Sequence, residues 1–168
     1  TSKELSEAYL PFLIKCTKYL IQKGAKPFIL IHEGADDLAI AEKISSAVGG
    51  VPIISEDNPI KIKGILSVCS GTLGSRFHGL VSALSQGVPS LATGWSHKYQ
   101  MLFEDYGFPE GIVDMLAEDS VTHKQLDLII NPETNKSIQR VIQEKSEILK
   151  AQTEEMWRTV FSELKKSQ

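Results

Sequence analysis

The sequence has no surplus of positive charge, almost no cysteine and no long apolar run. Its 168 residues carry 18 Lys and Arg against 21 Asp and Glu, a net charge of -3. That balance leaves no basic field for nucleic acid, and no nucleic-acid partner is expected. The only cysteines, Cys16 and Cys69, stand at no metal or redox spacing. Two thiols in a globular chain fit a reducing compartment better than a disulfide scaffold, and a cytoplasmic place is expected, either free or peripheral at the inner face of a membrane. No stretch approaches the roughly 20 apolar residues that span a bilayer. The first residues lack a basic region followed by an apolar one, so no signal peptide is expected. The four histidines have no carboxylate or cysteine partners at ligand spacing, which predicts no bound metal. No repeat or long linker divides the chain. What remains is an ordinary globular composition, 42% hydrophobic and 23% charged, at a length that suits a single domain over residues 1–168.

Apolar spacing then divides the chain into alternating helices and strands. Residues 2–23 predict a helix with Leu5, Ala8, Tyr9, Phe12, Leu13, Cys16 and Leu20 on one face and Gly24 as its end. Pro11 either kinks that helix or marks its start. Pro27 to Ile31 is a continuous apolar run, as in a parallel strand covered on both faces. It leads into His32 and Glu33, which would lie beyond the carboxyl end of that strand, where open α/β sheets bind ligands. Further helices are expected over 36–48, 60–67, 98–106, 122–130 and 133–166, and strands over 51–54, 89–93 and 111–115. Ile60 to Ser67 alternates like a strand, but Pro59 at a first helical position favours a helix. The rhythm predicts an α/β domain with a doubly wound parallel sheet and a long C-terminal helix.

The densest stretch is Ser70 to Pro89, SGTLGSRFHGLVSALSQGVP. It reads as a strand, a turn, a helix and a stop at Gly87 and Pro89. Phe77, Leu80, Val81, Leu84 and Val88 recur at helical spacing. Ser75 is expected to cap the helix, which puts Arg76 and His78 at its first and third positions. An arginine and an imidazole then stand beside the unpaired amides and positive dipole end of a helix, a setting that holds anions. Arg76 can grip a phosphate or carboxylate with two parallel bonds. Ser70, Gly71, Thr72 and Gly74 offer further amides to a phosphate, or serve the turn alone; the two readings weigh about equally. His97 and His123 are given no role, and Cys69 is read as a small buried residue.

SRFHGLVSALSQGVPSLATGWSHKY resembles the signature of the polysaccharide pyruvyl transferases: an Arg-Leu-His-Gly helix start, then Ala-Leu, then Gly-(Val/Ile)-Pro, a strand, and a loop carrying lysine. Arg76, His78, Gly79, Ala83, Leu84, Gly87, Pro89 and Lys98 stand in those places, with Phe77 for the commoner Leu. The resemblance implies a Rossmann-like domain of GT-B type, the C-terminal, donor-binding half of a two-domain transferase. It implies transfer of a pyruvyl group from phosphoenolpyruvate to a sugar as a ketal, in exopolysaccharide or cell-envelope polysaccharide synthesis, with no cofactor beyond that donor. Arg76 and His78 would be catalytic. Ser75, Phe77, Ser96 and Lys98 would join them in binding substrate, with His32, Glu33, Ser70 and Gly71 as further contacts. The acceptor, a sugar or lipid-linked oligosaccharide, would mostly meet the other half, and Trp157 and Phe161 would then be exposed and favour a homodimer. A nucleotide-sugar glycosyltransferase or epimerase of the same architecture stays open, as does a non-catalytic sugar-binding module. Against the glycosyltransferase, no Glu-rich ribose-binding segment follows the central helix start.

Overall fold

A computed structural model of the chain describes residues 2–32, 34–94 and 96–166. Within them the order is α1 (Ser2–Gln22), β1 (Ile29–Ile31), α2 (Ala35–Ala47), β2 (Ile53–Ser55), α3 (Pro59–Ser67), β3 (Thr72–Gly74), α4 (Phe77–Leu84), β4 (Ser90–Ala92), α5 (His97–Asp105), a 3-10 turn (Pro109–Gly111), α6 (Asp119–Ile130) and α7 (Pro132–Lys166).

The helix boundaries follow local chemistry. Asn58 settles the ambiguous segment before β3. Its side-chain oxygen accepts from the amides of Ile60 and Lys61, and Pro59 fills the first helical position, so the segment is helical. Asn131 does the same for α7 through the amides of Glu133 and Thr134. Gly87, at φ 79, ends the central helix in the left-handed region and lets the Val88 amide reach back to the Ala83 carbonyl. Pro11 lies inside α1 rather than at its start. The buried Phe12 and Cys16 hold the helix through it.

Two expectations are corrected. The segment 111–115 is not a strand. After the 3-10 turn it makes a single parallel bridge, Ala92 to Ile112, with the Val113 amide donating to the Ala92 carbonyl. The 3-10 turn Pro109–Gly111 before the bridge and a turn after it, in which the Leu116 and Ala117 amides bond back to Asp114, bound the ladder on both sides. The strands also do not form one doubly wound sheet. β1 pairs with β2 and β3 pairs with β4, each in parallel, as two separate small sheets. In a parallel pair alternate residues face the partner. Ile29 and Ile31 bond toward β2, and Thr72 and Gly74 bond toward β4. Leu30 and Leu73 therefore turn their backbone groups the other way, into a cleft of about 1160 Å³ between the two sheets.

The main core sits on the β3–β4 side, where Leu84, Leu91, Ala92, Phe103 and Ile142 are wholly buried among α4, α5, α6 and α7. A smaller cluster of Ile62, Leu66, Ala83 and Val88 joins α3 to α4. Helix α1 spans both sides: it packs on α2 and on α6, and the Tyr19 hydroxyl donates to Asp127. Along α7 the stripe Ile138, Ile142, Ser146 and Leu149 packs on the body. The same stripe runs on through Met156, Trp157, Val160 and Leu164, which are exposed. No helix among the described residues is long and apolar enough to cross a membrane.

Candidate functional site

The carboxyl ends of β1 and β3 open at the same end of the cleft, and the sequence motif collects there. Beyond β3 the backbone stays extended through Arg76 (φ -78, ψ 110), and α4 starts at Phe77. Ser75 therefore is not the cap. Arg76 holds that position, with no side-chain cap bond, and His78 is the second helical residue. The Ser75 hydroxyl has a tertiary partner instead, the hydroxyl of Tyr9 on α1, at 2.8 Å. The first intrahelical bond of α4 runs from the Leu80 amide to the Arg76 carbonyl at 3.1 Å. The amides of Phe77, His78 and Gly79 precede it, so the helix offers them no acceptor.

Arg76 is held in place by Asp37, in the first turn of α2. Its Nη2 donates to both carboxylate oxygens, at 2.7 and 2.9 Å, and its Nε to one of them at 3.2 Å. This ion pair ties the first sheet to the second. The Arg76 side chain is 52% exposed, so the guanidinium remains at the surface of the site. His32, the residue after β1, is half-buried and faces the same turn. A methyl on Gly79 would lie 3.9 Å from its Cε1. His78 is exposed, with its ring edge-on to Phe77.

The loop after β4 supplies the opposite wall. Ser96 stands at the N-cap of α5, and its hydroxyl is buried without a hydrogen-bond partner among the described residues. The Lys98 ammonium lies 5.0 Å from the Phe77 ring centre and 5.3 Å from that of Tyr99. Both are cation–π distances. Phe77 and Tyr99 meet edge to face at 5.5 Å. The Tyr99 hydroxyl donates to the Ser75 carbonyl at 2.6 Å. Burial raises the Tyr99 phenol above its ordinary value; Tyr9 adds to the rise and Arg76 opposes it.

Of the expected residues, the fold gathers His32, Ser75, Arg76, Phe77, His78, Ser96 and Lys98 around the start of α4. Glu33 lies outside the described residues, as does Trp95 in the loop after β4. Ser70 and Gly71 are not gathered. They precede β3 at its amino end, and the three residues of that strand, Thr72–Gly74, put Ser75 four extended steps, about 13 Å, from Gly71. There the Ser70 carbonyl accepts from Asn135, and Gly71 packs against Ile129. Cys69 is half-buried, with its thiol raised by burial.

Sequence reasoning gave no site role to Tyr9, Asp37 or Tyr99. Asp37 carries no local signal beyond that of an acidic residue in the first turn of a helix, and Tyr9 was legible only as part of an apolar face. No pattern signalled Tyr99, because its acceptor is a backbone carbonyl.

No solved structure matches the chain. A family model described as polysaccharide pyruvyl transferase matches residues 1–97, more than half of the sequence. The match takes in all four strands and the whole Ser75–His78 turn, and ends one residue before Lys98. On that match the chain belongs to the polysaccharide pyruvyl transferase family, a family of transferases.

Proposed function

We propose that the start of α4 binds phosphoenolpyruvate and that the chain takes part in moving its pyruvyl group onto a sugar as a ketal. The observation that carries this reading is the meeting of Arg76, His78 and Lys98 around the unpaired amides of one helix. The donor carries a phosphate and a carboxylate, so two cations and a helix start match its charge. In the reaction a proton adds to the enol CH2 carbon and the electron deficit falls on C2. One sugar hydroxyl bonds to C2 and loses its proton. A second bonds there as the C2–O bond to phosphate breaks, and its proton goes to the phosphate, which leaves as hydrogen phosphate. His78, at the second helical position of α4, is assigned the proton to carbon. Arg76 and Lys98 neutralise the phosphate as it takes up charge. His32 faces the same turn and is assigned to orient a donor or sugar oxygen.

The accompanying fold reading takes the two parallel pairs as parts of one Rossmann-like half of GT-B type, the acceptor sugar meeting the other half. The exposed stripe on α7 then serves a protein contact, including a second copy of the chain.

Calorimetric titration of phosphoenolpyruvate into the chain, beside Arg76→Ala, tests the reading. A lost bidentate contact to an anion costs about 1.5–3 kcal/mol, which is roughly 10- to 100-fold in Kd. Saturable binding that weakens by that much in the variant supports the donor site. Binding of uridine diphosphate in place of phosphoenolpyruvate, or equal affinity in both proteins, overturns it.

A further inference from the structure

We infer that Tyr99 is a positioning residue for the anion site: through the Ser75 carbonyl it sets the peptide from which α4 starts, and with Phe77 it places the Lys98 ammonium. The inference rests on the proposed donor site and goes beyond it, since the residues that carry the family pattern end at Lys98 and the matched segment 1–97 stops before Tyr99.

The argument begins with peptide planarity. The Ser75 carbonyl and the Arg76 N–H belong to one plane and point in opposite directions. A hydroxyl bonded to that carbonyl at 2.6 Å therefore fixes the direction of the Arg76 N–H and the entry angle of the helix. The next three amides inherit that direction. On the other side of Ser75, Tyr9 holds the hydroxyl at 2.8 Å, so the residue is gripped at both its side chain and its carbonyl. Tyr99 belongs to α5, so the bond also locks the turn after β3 to the loop after β4. Arg76 ends the first of these, and Lys98 lies in the first turn of the helix that follows the second.

The ring is as constrained as the hydroxyl. It lies flat against Gly94, where a methyl would overlap Cζ and both Cε atoms. Gly94 is buried, two residues beyond β4, and only a residue without a side chain admits the ring so close. The opposite contacts are Phe77, edge to face, and Lys98 above both rings. A phenol kept protonated by burial continues to donate across the neutral range, so the clamp does not open with pH.

Tyr99→Phe keeps the ring and removes the hydroxyl. Three measurements on the chain and this variant separate the outcomes: amide hydrogen exchange over residues 75–79 without ligand, phosphoenolpyruvate titration at several pH values, and the melting midpoint. Exchange over 75–79 is expected to accelerate and donor Kd to rise about 5- to 10-fold. The ratio of the two Kd values stays constant between about pH 6 and 9, because the phenol does not titrate there. The midpoint falls by no more than a few degrees. Gly94→Ala pushes the ring away and is expected to weaken donor binding in the same way. Unchanged exchange over 75–79 overturns the inference whatever the site binds. So does a lowered midpoint with donor affinity intact, the signature of a purely structural tyrosine. If the unmodified chain binds no phosphoenolpyruvate, the donor reading falls, and the exchange result alone decides the role of Tyr99.

Discussion

Replacing Gly71 with alanine should cost stability and leave donor binding untouched. The added Cβ would stand 2.8 Å from the Cβ of Ile129, 3.2 Å from its Cδ1 and 3.3 Å from the Pro89 carbonyl oxygen. A Cβ is rigidly joined to its backbone, so rotating the Ile129 side chain gives no relief. Helix α6 or the start of β3 must move. Neither moves freely: the Asn135 side-chain amide donates to the carbonyls of both Ser70 and Ile129, at 2.7 and 2.8 Å, and pins the two segments together. The Thr72 amide is bonded to the Pro89 carbonyl at 3.0 Å. Overpacking of this kind costs about 1–3 kcal/mol. In a chain of this size each kcal/mol lowers the midpoint by about 2–4 °C, so the expected fall is roughly 2–12 °C. Calorimetric melting gives the fall, and phosphoenolpyruvate titration well below the midpoint should give the unmodified affinity. Donor binding lost while the midpoint holds would refute the reasoning and return Gly71 to the anion site.

Three further outcomes are expected. Asp37→Asn removes a negative charge beside Arg76. A charge about 6 Å away in water is worth about 0.7 kcal/mol, so phosphate binding by titration should tighten about 3-fold. Burial pushes the Cys16 thiol up to about 12 from 9.0. The folded state keeps this proton where the unfolded chain releases it, so the stabilisation is complete below about pH 9 and is lost as pH rises from there toward 12. Urea midpoints measured from pH 8 upward should fall less steeply in Cys16→Ala than in the unmodified chain. Trp157→Glu with Phe161→Glu alters a stacked, exposed pair on α7. Sedimentation should show less concentration-dependent association, with the melting midpoint unchanged.

The parts of the fold legible in the sequence are those decided within a few residues. Asn58 with Pro59, Asn131 with Pro132, and Gly87 each mark a helix boundary through bonds to their own neighbours. Ser75 had the same local credentials as a cap. Its hydroxyl is taken by Tyr9, 66 residues away, and the helix starts two residues later. The sheet failed to read for a related reason. An apolar run such as Pro27–Ile31 reports burial, but not which strand lies beside it, and among the described residues β1 pairs with β2 alone. At the site, the motif gave the residues on one turn, Ser75 to His78. The residues that hold this turn in place, Tyr9, Asp37 and Tyr99, come from α1, α2 and α5, and helical periodicity marks at most a buried face for them, never a bond to a distant turn.

The division into two strand pairs also bears on the order of folding. Each pair closes through one short crossover, Ile29 to Ile53 around α2 and Thr72 to Ser90 around α4. The contacts that join α1 to α6 bridge far longer separations, 108 residues for Tyr19 and Asp127. Loop-closure entropy favours the short crossovers first and leaves the long ones for the end. The Arg76–Asp37 pair spans 39 residues and belongs between these stages. Pulse-labelled amide exchange during refolding should therefore protect β3, α4 and β4 before α1. Early protection of α1 together with α6 would show the reverse order.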